Sequence, residues 1–187
     1  MLCSRSEFPD ENVPKLKVNG VGVEWRESVL YLGINYDRKL TWSIQFDYMV
    51  KSCESRLSGL RKICRKDFGL TPRNALIVYK AFIRPVLEYG CISWLNISDT
   101  KMRKLQIIQN KALRLALRAP IETPIIDLHR EAIICPLKEH LLLRAAKFLQ
   151  MALERNTLSG RDARFWLALH TEEEIKNTPL GVLKHLI

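Results

Sequence analysis

The sequence has no Cys-x-x-C pair, no apolar run long enough to cross a bilayer and, through its middle third, almost no acid. Cys3, Cys53, Cys64, Cys91 and Cys135 are odd in number and widely spaced. That pattern excludes a zinc ribbon or a dithiol redox motif and leaves the cysteines as reduced, mostly core residues. His129, Cys135 and His140 fit no standard ligand spacing, so no metal is expected. The apolar run Ala132–Pro136 falls far short of the roughly twenty residues of a spanning helix, and Met1–Asp10 carries acid where a signal peptide needs an apolar stretch. An intracellular protein, nuclear or cytoplasmic, with no membrane contact is expected.

The scarcity of acid is local. Between Lys51 and Arg118 four Asp/Glu stand against fifteen Lys/Arg, whereas the rest of the chain carries sixteen against fifteen. The net charge of +10 therefore sits in one block. A concentrated basic surface can neutralise a row of phosphates, which evenly spread charge cannot, so nucleic acid is the leading partner.

Hydrophobic periodicity divides the 187 residues into four stretches. Residues 1–14 are polar and proline-punctuated and read as an arm. In 15–40, Leu16 and Val18 alternate with polar neighbours before Asn19-Gly20, the strongest two-residue hairpin signal, and Val21, Val23 and Trp25 alternate after it. Val29–Ile34 adds a third apolar stretch, so either a small antiparallel hairpin or a three-stranded sheet is expected. So small a sheet must lean on something else, and its exposed edge invites self-association, with Trp25 and Trp42 more exposed than their hydrophobicity suggests.

From Thr41 to about Arg155 the period becomes helical. Trp42, Phe46, Met49, Cys53, Leu57, Leu60 and Cys64 fall on one face of a first helix, with Thr41 as a plausible cap. Thr71-Pro72 opens a second helix running toward Gly90, in which Pro85 should kink or break the backbone. Ser98 or Asp99 caps a third that reaches Arg118 and buries Met102, Leu105, Ile108, Ala112 and Leu115, with Pro120 as its stop. A short helix over 123–132 and a longer one over 136–155 follow. Residues 156–187 form a tail with a short helix after Thr171. The fold class is α+β, mainly α: a helical bundle preceded by the β segment.

On the third helix Lys104, Lys111 and Arg118 recur every seven residues, with Arg114 one turn before the last. They form a stripe about 21 Å long, opposite about six phosphates of one strand. Arg61, Lys62, Arg65 and Lys66 cluster at the end of the first helix, where cations either complement the helix dipole or add to the same surface. Gln106, Gln109 and Asn110 could donate to phosphate or sugar. Tyr31, Tyr79, Tyr89 and Trp94 either stack on bases or fill the core. Glu88 and Asp99 read as helix-end or salt-bridge groups.

Three blocks, in order, carry a resemblance. Tyr31 to Trp42 (YLGINYDRKLTW), Tyr79 to Gly90 (YKAFIRPVLEYG) with Trp94, and Leu105 to Arg114 (LQIIQNKALR) resemble non-LTR (LINE-type, jockey-like) retrotransposon reverse transcriptases. The resemblance covers roughly Leu16 to Arg155. It implies that 15–40 is the end of the palm, that Tyr31, Leu32 and Gly33 grip the primer strand, and that the helices of 41–155 form a thumb holding an RNA/DNA primer–template duplex. Polymerase chemistry in that family uses Mg2+ held by an aromatic-x-Asp-Asp motif and an earlier palm Asp. No Asp-Asp pair occurs here. Met1–Ser4 looks like the strand just after the catalytic motifs, so palm and fingers are expected upstream, and the chain should bind primer–template without extending it. The alternative is a helical protein- or RNA-interaction module derived from such an element.

Overall fold

A computed structural model describes residues 17–23, 26–64, 69–155 and 161. The arm 1–14, Trp25, Arg65, Lys66 and the helix after Thr171 lie outside the described residues. By contact the chain divides into two compact units, 1–51 and 52–187.

In the first unit, β1 (Lys17–Val18) and β2 (Val21–Gly22) pair antiparallel around Asn19-Gly20. Both turn residues have positive φ, 50° and 81°, the geometry of the mirror-image turn that Asn-Gly favours. The apolar stretch after it is two strands and not one. β3 (Ser28–Tyr31) pairs antiparallel with β4 (Ile34–Asp37), with Tyr31 opposite Ile34. Leu32 and Gly33 between them turn the chain at φ 47° and 76°. The described strands thus form two separate two-stranded ribbons in place of a three-stranded sheet. Gly33 adopts its φ at no steric cost, while Leu32 is a non-glycine residue in the left-handed region.

Asp37 links the second ribbon to the first helix, α1 (Ser43–Ile63). Its two carboxylate oxygens accept from the Thr41 and Trp42 N–H groups at 2.8 and 2.7 Å. Thr41 Oγ1 reaches the Ser43 N–H only at 3.4 Å, so Asp37 does most of the work assigned to a Thr41 cap. Leu40 and Trp42 take positive φ in this corner. Trp42 is only 6% exposed, contrary to the expectation of an exposed indole, because the corner turns its ring edge-on to Tyr36 at 5.3 Å. Buried Gln45 accepts from both the backbone and the side-chain amide of Asn35. Along α1 Phe46, Met49, Cys53, Leu57 and Leu60 are buried, the face that the spacing marks out.

The second unit is helical. Thr71 Oγ1 accepts from the Asn74 N–H and Pro72 occupies the first turn of α2 (Pro72–Val78). A π-helical segment, Tyr79–Ile83, follows directly and passes into α3 (Arg84–Glu88). Pro85 therefore widens this helix without breaking it: the Arg84 N–H bonds the Tyr79 carbonyl five residues back. Gly90, at φ 61°, turns the chain into α4 (Cys91–Trp94). Ser98 caps α5 (Asp99–Leu117), which ends where expected, at Arg118, in the left-handed conformation and two residues before Pro120, its N–H returned to Arg114 and Leu115. α6 (Ile125–Ala132) and α7 (Leu137–Glu154) complete the described helices. α5 is the central strut, in contact with α2, the π segment, α6 and α7. Its buried face carries Met102, Leu105, Ile108 and Ala112 as the spacing indicates, with Leu113 and Ala116 added and Leu115 only half-buried.

Asp37→Ala leaves two N–H groups at the start of α1 without their carboxylate. It should lower stability by about 1–2 kcal/mol in urea denaturation and speed hydrogen exchange at Thr41 and Trp42 first.

Candidate nucleic-acid interface

α5 presents chemically opposite faces. On its inner side the Leu137 N–H, an orphan donor in the first turn of α7, is accepted by Gln106 Oε1 at 2.7 Å. That contact fixes which end of the Gln106 amide is oxygen. Its Nε2 then donates to Gln109 Oε1 and Asn110 Oδ1, both at 2.8 Å, and Gln109 Nε2 donates to the Cys135 carbonyl. His129 joins the cluster, with Nε2 3.0 Å from Asn110 Oδ1 and Nδ1 2.8 Å from the Ile134 carbonyl. Gln109 and Asn110 are buried. The amides read from sequence as donors to phosphate are thus internal fasteners between α5, α6 and the start of α7. Beside them Tyr79 is fully buried, its hydroxyl near Gln109 without a well-formed hydrogen bond, and burial pushes its pKa up to about 12.

The outer face carries cations. Lys104 and Lys111 are exposed, as are Arg61 and Lys62 in the last turn of α1. Arg114 and Arg118 are committed elsewhere. Arg114 donates through Nε to the Pro120 carbonyl and through Nη2 to the Thr123 carbonyl, bracing the α5–α6 loop, and Arg118 Nη2 donates to the Leu70 carbonyl at 2.9 Å. In the first unit, Tyr31 and Leu32 are 61% and 72% exposed at the tip of the β3–β4 ribbon, with Gly33 completing the turn. Of the aromatics that could stack or fill the core, Tyr79 and Trp94 are core, and Tyr31 and Tyr89 are exposed.

One cluster is only partly visible in sequence. Glu88 is an ion-pair group, as expected, but it takes three partners: Arg84 Nε at 2.6 Å, His140 Nε2 at 2.6 Å and Arg144 Nη1 at 2.8 Å. The first is an i,i+4 pair that spacing could have shown; the other two cross from α7. His140 Nε2 lies 2.6 Å from Glu88 Oε1, and Arg84 Nη2 lies 2.7 and 2.6 Å from the two ring nitrogens. Burial, followed by the Arg84 charge, holds the His140 pKa below its ordinary value. Asp99 also pairs as expected, with Lys138 at 3.2 Å. Among the described residues no group of three His, Cys, Asp or Glu could hold a metal ion, and no helix is long and apolar enough to cross a membrane.

This surface, basic outside and braced inside, sits on a chain similar to the RNA-directed DNA polymerases of non-LTR retrotransposable elements. The chain is 22% identical over 146 residues to the probable RNA-directed DNA polymerase from transposon BS of Drosophila melanogaster, covering 78% of this chain. It is 27% identical over 156 residues to the RNA-directed DNA polymerase from mobile element jockey of the same species, covering 79% of this chain. Against the retrovirus-related Pol polyprotein from type-1 retrotransposable element R1 of Bradysia coprophila, identity is 26% over 108 residues, 58% of this chain. The matched segment spans 16%, 16% and 11% of the length of these three relatives. No family model and no solved structure matches the chain.

Gln106→Leu strands the Leu137 N–H together with the Gln109 and Asn110 acceptors. It should cost about 2–3 kcal/mol in chemical denaturation, whereas Lys104→Ala and Lys111→Ala should each stay within about 0.5 kcal/mol.

His140 makes a pH-dependent contribution. Its folded pKa lies below the unfolded value near 6.5, so the unfolded chain binds the proton more readily. The contribution is complete above the unfolded pKa and is lost as pH falls from there through the folded pKa. Denaturation midpoints measured from pH 7.5 downward should show this loss in the wild type, and His140→Gln should remove that part of the slope.

Proposed function

We propose that this chain is a thumb-like, duplex-holding part of a retrotransposon RNA-directed DNA polymerase, and that it binds primer–template through phosphates without extending it alone. The observation that carries the proposal is the pair of exposed ammonium groups, Lys104 and Lys111, seven residues apart on a helix whose other face is locked into the core. Arg61 and Lys62 add charge at the end of α1. Such contacts read phosphate spacing and not base sequence, as a polymerase that copies any template requires. The exposed Tyr31-Leu32-Gly33 tip fits the primer-grip role that the resemblance gives it, since a turn with a glycine lets another backbone come close.

Nucleotide addition needs carboxylates for two Mg2+ ions, and the sequence has no Asp-Asp pair to supply them. Palm and fingers are therefore partners of this piece. The exposed valines Val18 and Val21, and ribbon edges that pair with no third strand among the described residues, suit union with a larger sheet, or with another copy of this chain when that sheet is absent. A protein-interaction role is favoured by one separate feature, the exposed isoleucines Ile121, Ile125, Ile126 and Ile133 around α6.

Fluorescence anisotropy with a labelled RNA–DNA duplex tests the proposal. Affinity should fall linearly with log salt at a slope of about −0.9 per phosphate contacted, and Lys104→Glu with Lys111→Glu should weaken binding at least about tenfold and flatten the slope by about two. No primer extension should occur with Mg2+. A salt-independent affinity, or robust extension by the chain alone, rejects the proposal.

A further inference from the structure

The Glu88 cluster forms one wall of a cleft of about 690 Å3 between the α3–α4 turn and α7, which the duplex-holding role does not use. We propose that this cleft takes an unpaired base and its phosphate from a single-stranded nucleic-acid segment leaving the duplex. The inference rests on the nucleic-acid reading above but concerns a different surface and a different form of the ligand.

Its volume lies in the range of sites that bind small organic groups, about 300–1,000 Å3. Tyr89, from the α3–α4 turn, and Phe148, from α7, both line it and are 54% and 42% exposed, with Ile92 and Met151 also in the lining. Flat aromatic faces and a soft thioether accept any base by stacking, and they are costly to leave in water without an occupant. The charge is also matched. Two cations of the lining, Arg144 and Lys147, stand with one carboxylate, Glu88, which is already paired with Arg144 and with Arg84 behind the wall. Arg144 and Lys147 lie one turn apart on α7, on the side that carries Phe148 and Met151. A base between the rings would put its phosphate within reach of that pair.

The shape selects among ligands. A duplex keeps its bases stacked and offers only a convex backbone, so it cannot fill a concave site of this size. A peptide would bring backbone N–H and C=O groups against helical walls, whose own backbone is internally bonded and offers no strand edge to pair them. A single strand brings flat bases and one negative charge per residue, which is what the walls complement.

The experiment compares two labelled RNA–DNA duplexes by anisotropy at one salt concentration, one blunt and one with a six-nucleotide single-stranded template overhang. The overhang should tighten binding about tenfold, the range expected for one stacked base with its phosphate. Phe148→Ala and Tyr89→Ala should each remove most of that gain and leave blunt-duplex binding unchanged; Phe148→Trp should keep it. Lys147→Glu should remove the gain by its charge. Circular dichroism of each variant checks the fold, which exposed positions should not disturb. Equal binding of the two duplexes, or a gain that survives Phe148→Ala, overturns the cleft and leaves it to a protein ligand. If neither duplex binds, the duplex-holding role fails by itself. The cleft is then judged by an oligouridine alone, whose binding must be lost in Phe148→Ala if the inference is right.

Discussion

The arrangement of α5, α6 and α7 depends on one partly buried hydrogen bond, from the Leu137 N–H to Gln106. α7 begins after Pro136, whose side chain cannot cap it, so the first-turn donors of that helix need a partner from elsewhere. Gln106 supplies one, and by doing so fixes the orientation of its own amide. Everything downstream follows: Gln109 and Asn110 must turn their oxygens toward Gln106 Nε2, and Gln109 Nε2 must turn to the Cys135 carbonyl. Apolar side chains could fill the same volume, but they would permit several rotations of α6 against α5. A chain of amides in low dielectric permits few, because each missed bond leaves a desolvated group.

That constraint gives the outer face of α5 its stiffness, and it also shortens the basic stripe. Arg114 and Arg118 keep their charge but are tethered to loop carbonyls, and the two lysines on display, Lys104 and Lys111, are about 10 Å apart, the length of about three phosphate steps where all four cations would cover about six. The two arginines do different work from the two lysines. A guanidinium carries several donors in a fixed fork and can bridge two carbonyls of one loop, as Arg114 does; an ammonium is a point charge that gains little from such a role. Residue type, more than position in the seven-residue repeat, separates bracing from display on this helix.

Helical order was largely legible because burial on one face imposes a period that survives any ligand: the α1 stripe and the α5 stripe both sit where spacing places them. Asn19-Gly20 was equally plain, since its backbone geometry is written in its residue types. The Leu32-Gly33 turn was not, because leucine seldom takes positive φ and the flanking apolar residues disguised two short strands as one. The buried amides of α5 were misread for a general reason. Exposed and buried glutamines look alike in sequence, and only the partner on another helix distinguishes them. The Glu88 cluster was half visible, its i,i+4 member in the spacing and its α7 members in no local pattern.

The widened turn at Tyr79–Ile83 shows how two such constraints can demand the same backbone. Ala75, Tyr79, Ile83 and Leu87 are all buried at successive intervals of four. In a regular α-helix those twelve residues advance about 1,200°, which overshoots three full turns by about 120° and would carry Leu87 away from the core. One extra residue in a turn removes about 100° of that drift, and a single π segment provides it. Pro85 independently requires relief near the Ala81 carbonyl, because its ring cannot share a regular turn with it. The burial pattern and the proline thus specify the same local change from opposite directions. The widened turn sits immediately before Arg84 and Glu88, so it also sets the phase at which those two side chains meet His140 and Arg144 across the cleft. A proline removed from position 85 would still leave the four-residue spacing asking for the wide turn, which makes the phase of Glu88 a property of the buried face and not of the proline alone.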